Sequence, residues 1–204
     1  MSNFKKRFLI SLLAFPIIYI LLYQKILSNL LICLVCIFCA YEWHIIFKKK
    51  NFSYFLGLLI LLFFLTSLIK IYNLEEYNLK FLWLILVAWL TDIGGYIFGK
   101  IFGGPKLIKI SPNKTWSGAF GSLFLSQFAF IIYYLDPNFK VNTYIFIFQL
   151  FLSIVGQIGD ILMSYVKRTY NIKDTSNFIP GHGGFLDRVD GLIWVIIFGY
   201  FLIT

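Results

Sequence analysis

The chain has 204 residues, of which 60% are hydrophobic and only 13% are charged, and its mean hydropathy is +0.83. Soluble domains have a charged fraction of about 25%, so this composition excludes a soluble globular protein and predicts an integral membrane protein. The net charge of +9 does not call for a nucleic-acid partner, because the cytoplasmic loops of multispanning proteins are basic.

Seven apolar segments are each close to the roughly 20 residues that a helix needs to cross a bilayer. They cover residues 8–23, 27–47, 52–72, 81–98, 120–134, 144–163 and 185–203. The sequence therefore predicts an all-α fold, a polytopic membrane helix bundle of about seven transmembrane helices. We expect one integral membrane domain over residues 1–204, with N-terminal spans in 1–80 and catalytic helices and cytoplasmic loops in 81–204. The first segment lacks a small-residue cleavage site and is expected to be retained.

The distribution of basic residues predicts the orientation of the bundle, because Lys and Arg collect on the cytoplasmic side. With the N-terminus inside, only Lys25, Lys70, Lys80 and Lys140 of the eighteen cations fall outside. This predicts a cytoplasmic N-terminus and a multi-pass protein of a bacterial-type inner membrane. The loop after the fourth segment and the polar stretch 159–191 then share the cytoplasmic face.

Two features of the second segment have ordinary structural interpretations. Cys33, Cys36 and Cys39 recur at every third position, which is typical of small packing residues on one helix stripe. A metal site remains an alternative because Glu42 and His44 lie nearby. Glu42 is as compatible with a surface ion pair as with a functional role.

Aspartates at the ends of two apolar segments are candidates for a functional site. Asp92 lies in the run 89–96 near the end of the fourth segment, and Asp160 lies near the end of the sixth. A carboxylate at the bilayer centre costs about 2.5–3.5 kcal/mol, which roughly a dozen apolar neighbours outweigh. The acid still needs a cation, a metal or water as a partner. The alternative is that each carboxylate caps a span or pairs with a lysine near the headgroups.

The segment 99–118 combines glycines, a Ser-Pro turn and four lysines, which predicts a flexible basic loop. Lys114 and Ser111 lie where the fifth helix is expected to begin. The loop either binds an anion in the site or docks the anionic headgroups of lipids, as other basic loops do.

Most of the remaining polar chemistry lies in the stretch 159–191. Gly181, Gly183 and Gly184 precede an apolar run that reads as a helix, so their N–H groups can approach a phosphate. Asp187 and Asp190 follow at a spacing of three, which places both carboxylates on one helix face. Two aligned carboxylates suit Mg2+, which takes oxygen ligands and commonly bridges protein to substrate phosphates.

At these residues the chain resembles the phosphatidate cytidylyltransferases, the CDP-diacylglycerol synthases. The resemblance is carried by Ser164-x-x-Lys167-Arg168, Lys173-Asp174 and Pro180-x-His182-Gly183-Gly184-x-x-Asp187-Arg188-x-Asp190. Similar family patterns occur at Asp92-x-Gly94-x-Tyr96 and Ser111-Pro112-x-Lys114-Thr115-Trp116-x-Gly118. The resemblance thus extends over residues 92–191, and a weaker similarity to the family is present at Glu42-Trp43.

The resemblance implies transfer of the cytidylyl group of CTP to phosphatidate, with Mg2+ as cofactor, giving CDP-diacylglycerol and pyrophosphate. It also suggests a homodimer in a lipid membrane. Metal binding is expected at Asp160, Asp187 and Asp190, and catalytic roles at Asp187, Asp190, Lys167 and His182. His182 is expected to donate a hydrogen bond, since the attacking phosphate is already ionised. Substrate contacts are expected from Arg168, Lys173, Lys114, Ser111, Ser164, Gly183, Gly184 and Arg188.

The chain departs from the family pattern at three positions. It has Ser117 and Met163 where the family usually has glutamate, and Gly191 where a serine is common. The two missing carboxylates bring a second metal site, or the rate, into question. If the chain is a weakly active member, restoring both glutamates is expected to raise the rate.

Two other classes of function are compatible with the sequence. A CTP-dependent kinase acting on polyprenol or diacylglycerol would use similar aspartates and lysines but release CDP. A membrane anion transporter would also place carboxylates in spans, although such proteins usually show internal repeats, and we find no clear repeat here.

Overall fold

The computed structural model describes residues 24–47, 51–73, 78–135, 143–179 and 183–203. Their elements, in chain order, are α1 (Lys25–Ile46), α2 (Phe52–Asn73), α3 (Asn78–Phe102), β1 (Lys106–Ile108), β2 (Ser111–Thr115), α4 (Trp116–Ser126), a 3₁₀ helix (Gln127–Leu135), α5 (Thr143–Thr169) and α6 (Leu186–Ile203). The first predicted span, 8–23, lies outside the described residues.

Four of these helices are long and apolar enough to cross a membrane: Lys25–Ile46, Phe52–Asn73, Leu79–Phe102 and Tyr144–Thr169. This confirms the prediction of a mostly helical membrane protein. It does not confirm the number seven, because the apolar helix Trp116–Ile132 is shorter and α6 has only 18 residues. These two helices correspond to the predicted segments 120–134 and 185–203, which are short or polar at one end.

The outer surface of the bundle is apolar, as expected for helices that contact lipid. On α1, Ile26, Leu30 and Ile37 are between 61% and 81% exposed, and Phe52 at the start of α2 is 81% exposed. Large apolar side chains at this exposure are unusual on a soluble monomer. The buried face of α1 includes Cys36 and Cys39, which pack in the core as predicted, and the three cysteines are free thiols.

The segment predicted as a flexible basic loop forms a two-stranded antiparallel hairpin, which corrects the all-α prediction at this point. Strand β1 pairs with β2 through Lys106 opposite Thr115 and Ile108 opposite Ser111. The chain leaves α3 through Gly103 and Gly104, whose φ angles of 57° and 104° favour glycine. Glycine and Ser-Pro composition alone does not distinguish such a short hairpin from an irregular loop.

The hairpin leads directly into α4 through a capped helix start. The Thr115 side chain accepts a hydrogen bond from Gly118 N at 3.1 Å, which satisfies one of the free N–H groups of the first turn. Ser117 Oγ donates to Gly103 O, so α4 is tied to the end of α3. Ser117 therefore has a structural role at a position where the family usually has glutamate.

Helices α3 and α4 cross closely because both are glycine-rich at the crossing. A Cβ at Gly121 would lie 2.8 Å from Gly94 O, and a Cβ at Gly95 would lie 2.9 Å from Ser122 Oγ. Ser122 Oγ also donates to Thr91 O at 2.7 Å. Small residues of this kind allow helix backbones to approach within a membrane, and here they bring the start of α4 beside Asp92.

Candidate functional site

Six of the predicted site residues meet in one cavity at a single end of the bundle, which we call the polar cavity. It has a volume of about 420 Å³ and is formed by the second half of α3, the hairpin, α4, the second half of α5 and the start of α6. Its charged lining residues are Asp92, Asp160, Asp174, Asp187, Asp190, Lys114, Lys167 and Arg188. Five of the nine acidic residues of the chain therefore face one space.

The hairpin contributes its lysine to this cavity through an ion pair with α5. Lys114 Nζ lies 2.7 Å from Asp160 Oδ2. Nζ is buried and has no hydrogen-bond partner among the described residues, so the contact with Asp160 is an ion pair without a hydrogen bond. The loop after α3 and the signature stretch thus share one face, as the sequence predicts.

A second ion pair joins α5 to the start of α6. Lys167 Nζ donates to Asp187 Oδ1 at 2.7 Å, and these side chains are only 13% and 6% exposed. The other oxygen of Asp187 accepts from Thr175 N at 2.8 Å and from Gly184 N at 3.0 Å. Asp187 thus holds Lys167 and the loop before α6 in place.

Glu42 is the residue that sequence reasoning placed least well. Its side chain is fully buried, so it is not a surface ion-pair partner. Its Oε1 accepts from Ser176 Oγ at 2.6 Å and Phe185 N at 2.9 Å. Its Oε2 accepts from Thr175 Oγ1 at 2.9 Å and Leu186 N at 2.8 Å. The position of Glu42 in an apolar span indicated that its carboxylate needs a partner. The sequence did not show which residues these are, because they lie far along the chain.

The carboxylate of Glu42 satisfies N–H groups at the start of α6, where an acidic group is also favoured by the helix dipole. One turn earlier, the Phe38 ring stacks on Phe185 with centroids 4.9 Å apart. Helix α1 therefore fixes the segment that carries Asp187 and Asp190, although α1 contributes no lining residue to the polar cavity.

The two described glycines of the signature turn are required by close approach to these carboxylates. Gly183 has a φ of 82°, and a Cβ there would lie 2.8 Å from Asp187 Oδ2. A Cβ at Gly184 would lie 2.5 Å from both carboxylate oxygens of Glu42. The glycines therefore let the turn pack against Glu42 and Asp187. The contact of His182 with a phosphate remains a prediction, because His182 lies outside the described residues.

Three helices contribute carboxylates to the polar cavity: Asp92 on α3, Asp160 on α5 and Asp190 on α6 all line it. Carboxylates that share one cavity repel one another unless positive charge lies between them. Their hard oxygen atoms are of the type that Mg2+ prefers, but among the described residues no group of three or more acidic, histidine or cysteine side chains is placed to hold a metal ion, so Mg2+ binding stays a prediction.

The structure separates the predicted site residues into two groups. Asp160, Asp187, Asp190, Lys167, Lys114 and Arg188 line the polar cavity. The predicted contacts Ser111, Ser164, Arg168, Lys173, Gly183 and Gly184 are not among its lining residues. Arg168 is exposed and donates to Ile172 O at 3.2 Å, in the turn that follows α5. Asn113 and Asp174 line the cavity but were not predicted as site residues.

Comparison with known proteins gives a consistent picture. Residues 51–204 match the model of the cytidylyltransferase family. The phosphatidate cytidylyltransferase of Rickettsia bellii is 33% identical over 201 residues, covering 94% of this chain and 87% of that protein. Those of Bacillus subtilis and Staphylococcus aureus are 41% and 44% identical, over 67% and 56% of this chain. These two matches span about half of the relatives' lengths, 52% and 45%.

Proposed function

The chain belongs to the cytidylyltransferase family, and from this premise we propose that it transfers the cytidylyl group of CTP to phosphatidate. A phosphate oxygen of phosphatidate would attack the α-phosphorus of CTP. The bond from that phosphorus to the oxygen shared with the β-phosphate would break, and pyrophosphate would leave with the electron pair. The products are CDP-diacylglycerol and pyrophosphate.

One observation supports this proposal above the others: the polar cavity brings cations from separate parts of the chain to a cluster of carboxylates. Lys114 reaches the cavity from the hairpin, and Lys167 and Arg188 from α5 and α6. Joining two polyanions depends mainly on positioning and on neutralising their charge. A cavity lined by cations from the hairpin, α5 and α6 suits both tasks.

Mg2+ would be held by Asp160 and Asp190, with Asp187 as the third predicted ligand. Asp187 is engaged by Lys167, so its contact with the ion would require Lys167 to turn towards substrate phosphate. The ion would contribute neutralisation of the phosphate oxygens. Asp92 lines the same wall and is a further candidate ligand.

The cations of the polar cavity would bind the phosphates. Lys167 and Arg188 lie nearest the predicted metal ligands in sequence, and we assign them to the triphosphate. Lys114 would bind the second anion, the phosphate of the lipid. Arg168 and Lys173 lie outside the cavity lining, so their predicted contact with CTP requires that the nucleotide extend beyond the polar cavity.

The membrane arrangement completes the proposal. The apolar helices indicate a membrane protein, and the relatives are bacterial, which supports an inner-membrane location. We propose that the N-terminus and the polar cavity face the cytoplasm, where CTP is available, and that segments 8–23, 120–134 and 185–203 complete seven spans. The homodimer suggested by the family resemblance stays a prediction.

The proposal is tested with purified protein in detergent, phosphatidate, Mg2+ and CTP labelled in the α-phosphate. We expect the label to enter the organic phase together with release of an equal amount of pyrophosphate. Transfer of a γ-phosphate label with release of CDP would instead identify a lipid kinase and contradict the proposal. Omitting phosphatidate is the control, and it should leave all label in water.

A further inference from the structure

A second cavity lies on the other side of α5 from the polar cavity, and we call it the apolar groove. It has a volume of about 310 Å³ and is formed by α1, α2, α5 and α6. Its lining is predominantly apolar and includes Leu56, Ile60, Leu162, Met163 and Ile193. None of these residues is needed for the chemistry proposed above.

Two tryptophans shape the groove by lying against glycines of neighbouring helices. The Trp43 ring on α1 occupies the space that a side chain at Gly57 would fill, and Trp194 on α6 does the same at Gly159. Trp43 is fixed by a hydrogen bond from its Nε1 to Tyr54 O at 3.0 Å. The walls are therefore held in place by packing between helices.

The groove is open towards the outside of the bundle. Leu56 on α2 is 45% exposed and Leu162 on α5 is 44% exposed, and both lie on helices that are long and apolar enough to cross a membrane. The α2 lining residues extend over positions 53–61, which corresponds to a length of about 12 Å along the helix. A hydrocarbon chain is compatible with a cavity of this volume and apolar lining.

Asp190 connects the two spaces, because it lines both the polar cavity and the apolar groove. Helix α5 separates them elsewhere: Asp160 and Lys167 line the polar cavity, whereas Gly159, Leu162 and Met163 line the groove. A molecule with a phosphate at one end and a hydrocarbon chain at the other would therefore reach both.

The position of Met163 accounts for one departure of the chain from its family pattern. The side chain is 7% exposed and lies in the apolar groove, not in the polar cavity. Its replacement of glutamate therefore removes no carboxylate from the polar cavity. A glutamate at 163 would be buried among apolar side chains, which is unfavourable, so the gain in rate predicted from restoring both glutamates lacks structural support at this position.

From this geometry we infer that the apolar groove binds one acyl chain of phosphatidate while the lipid phosphate enters the polar cavity beside Asp190. The inference rests on the proposed function for the identity of the lipid. Since a bilayer is as apolar as the groove, selectivity comes from fit and from the anchored phosphate, not from removal of the chain from water.

The test compares tryptophan substitutions on α2. Leu56→Trp fills the groove, whereas Leu59→Trp is the matched control, since Leu59 is also about half exposed, at 50%, but does not line the groove. For phosphatidate with oleoyl chains, Leu56→Trp should raise KM by about tenfold, the scale of a misfit in an apolar site. For phosphatidate with butanoyl chains, and for CTP, KM should stay within about twofold. Equal effects on both lipids, or from both substitutions, would overturn the inference.

A second measurement is independent of turnover. Phosphatidate carrying a photoreactive diazirine on one acyl chain is irradiated with the purified protein in the absence of CTP. We expect crosslinks within 53–61 and 159–166, with less labelling in Leu56→Trp and little with phosphatidylcholine bearing the same probe. Labelling elsewhere, or equal labelling by both lipids, would contradict the inference. Labelling in the groove by a protein that forms no CDP-diacylglycerol would retain the groove and reject the proposed function.

Discussion

Replacing Asp190 by asparagine is expected to lower CTP-dependent turnover at least about 100-fold, the scale on which a lost electrostatic contact in a transition state is measured. The substitution keeps the shape of the side chain and its ability to accept from Gly191 N, a contact of 2.8 Å. It removes the negative charge of the Asp190 carboxylate, which we propose binds Mg2+ at the junction of the polar cavity and the apolar groove. Turnover is measured with labelled CTP at saturating phosphatidate.

The fold should survive this change, because a neutral side chain is easier to insert than a carboxylate. Membrane insertion and elution of the detergent-solubilised protein should therefore match the parent. Asp190→Glu, which preserves the charge, is the matched variant and should retain more activity than Asp190→Asn. If Asp190→Asn turns over at the parental rate, Asp190 is not a metal ligand in the reaction.

Replacing Glu42 by glutamine is expected to lower both activity and stability, even though Glu42 does not line the polar cavity. Each carboxylate oxygen accepts from one backbone N–H and one hydroxyl. The glutamine NH2 group cannot accept, so either Phe185 N or Leu186 N loses its acceptor in a buried site. An unsatisfied buried donor costs about 1–3 kcal/mol, which corresponds to a fall in Tm of about 2–12 °C for a chain of this size.

Activity should fall together with stability because Glu42 holds the turn that carries Asp187. Since Glu42 acts through other residues, we expect a lower kcat with little change in the KM for CTP. Ser176→Ala is the matched control, because it removes one of the four hydrogen bonds to Glu42, a contribution of about 1 kcal/mol, together with the exposed hydrogen bond from Phe178 N. Thermal unfolding of both variants gives the Tm, and steady-state kinetics give kcat and the KM for CTP. A Glu42→Gln protein with parental Tm and kcat would remove Glu42 from the support of the site.

The sequence predicted part of the set of ionisable groups that converge, and the reason is local spacing, although the predicted Arg168 and Lys173 do not line the polar cavity. Asp187 and Asp190 lie on the same turns of α6, and Lys167 precedes them by one loop, so motif spacing constrains their distances. The presence of Lys114 and Asp160 in one cavity agrees with the assignment of both segments to one face of the membrane, whereas their ion pair was not predicted. The polar cavity confirms that these residues lie together.

The support of the site could not be predicted in the same way, because it depends on contacts that are distant in sequence. Glu42 binds residues 133 to 144 positions later, and no local pattern indicates which loop a buried carboxylate will reach. The hairpin is another case, since its strands have only three and five residues. The location of Met163 in the apolar groove could not be predicted either, because the sequence does not show which face of α5 borders the groove.

The claim that the hairpin and the signature stretch form one cytoplasmic chamber is tested most directly by chemical accessibility. Asn113 and Asp174 both line the polar cavity and both are exposed, so each is replaced by cysteine, one at a time, with Cys33, Cys36 and Cys39 changed to alanine. We predict that a membrane-impermeant maleimide labels both cysteines in inside-out vesicles, labels neither in right-side-out vesicles, and is slowed at both by CTP with Mg2+. Labelling of the two positions from opposite sides of the membrane would contradict a common chamber.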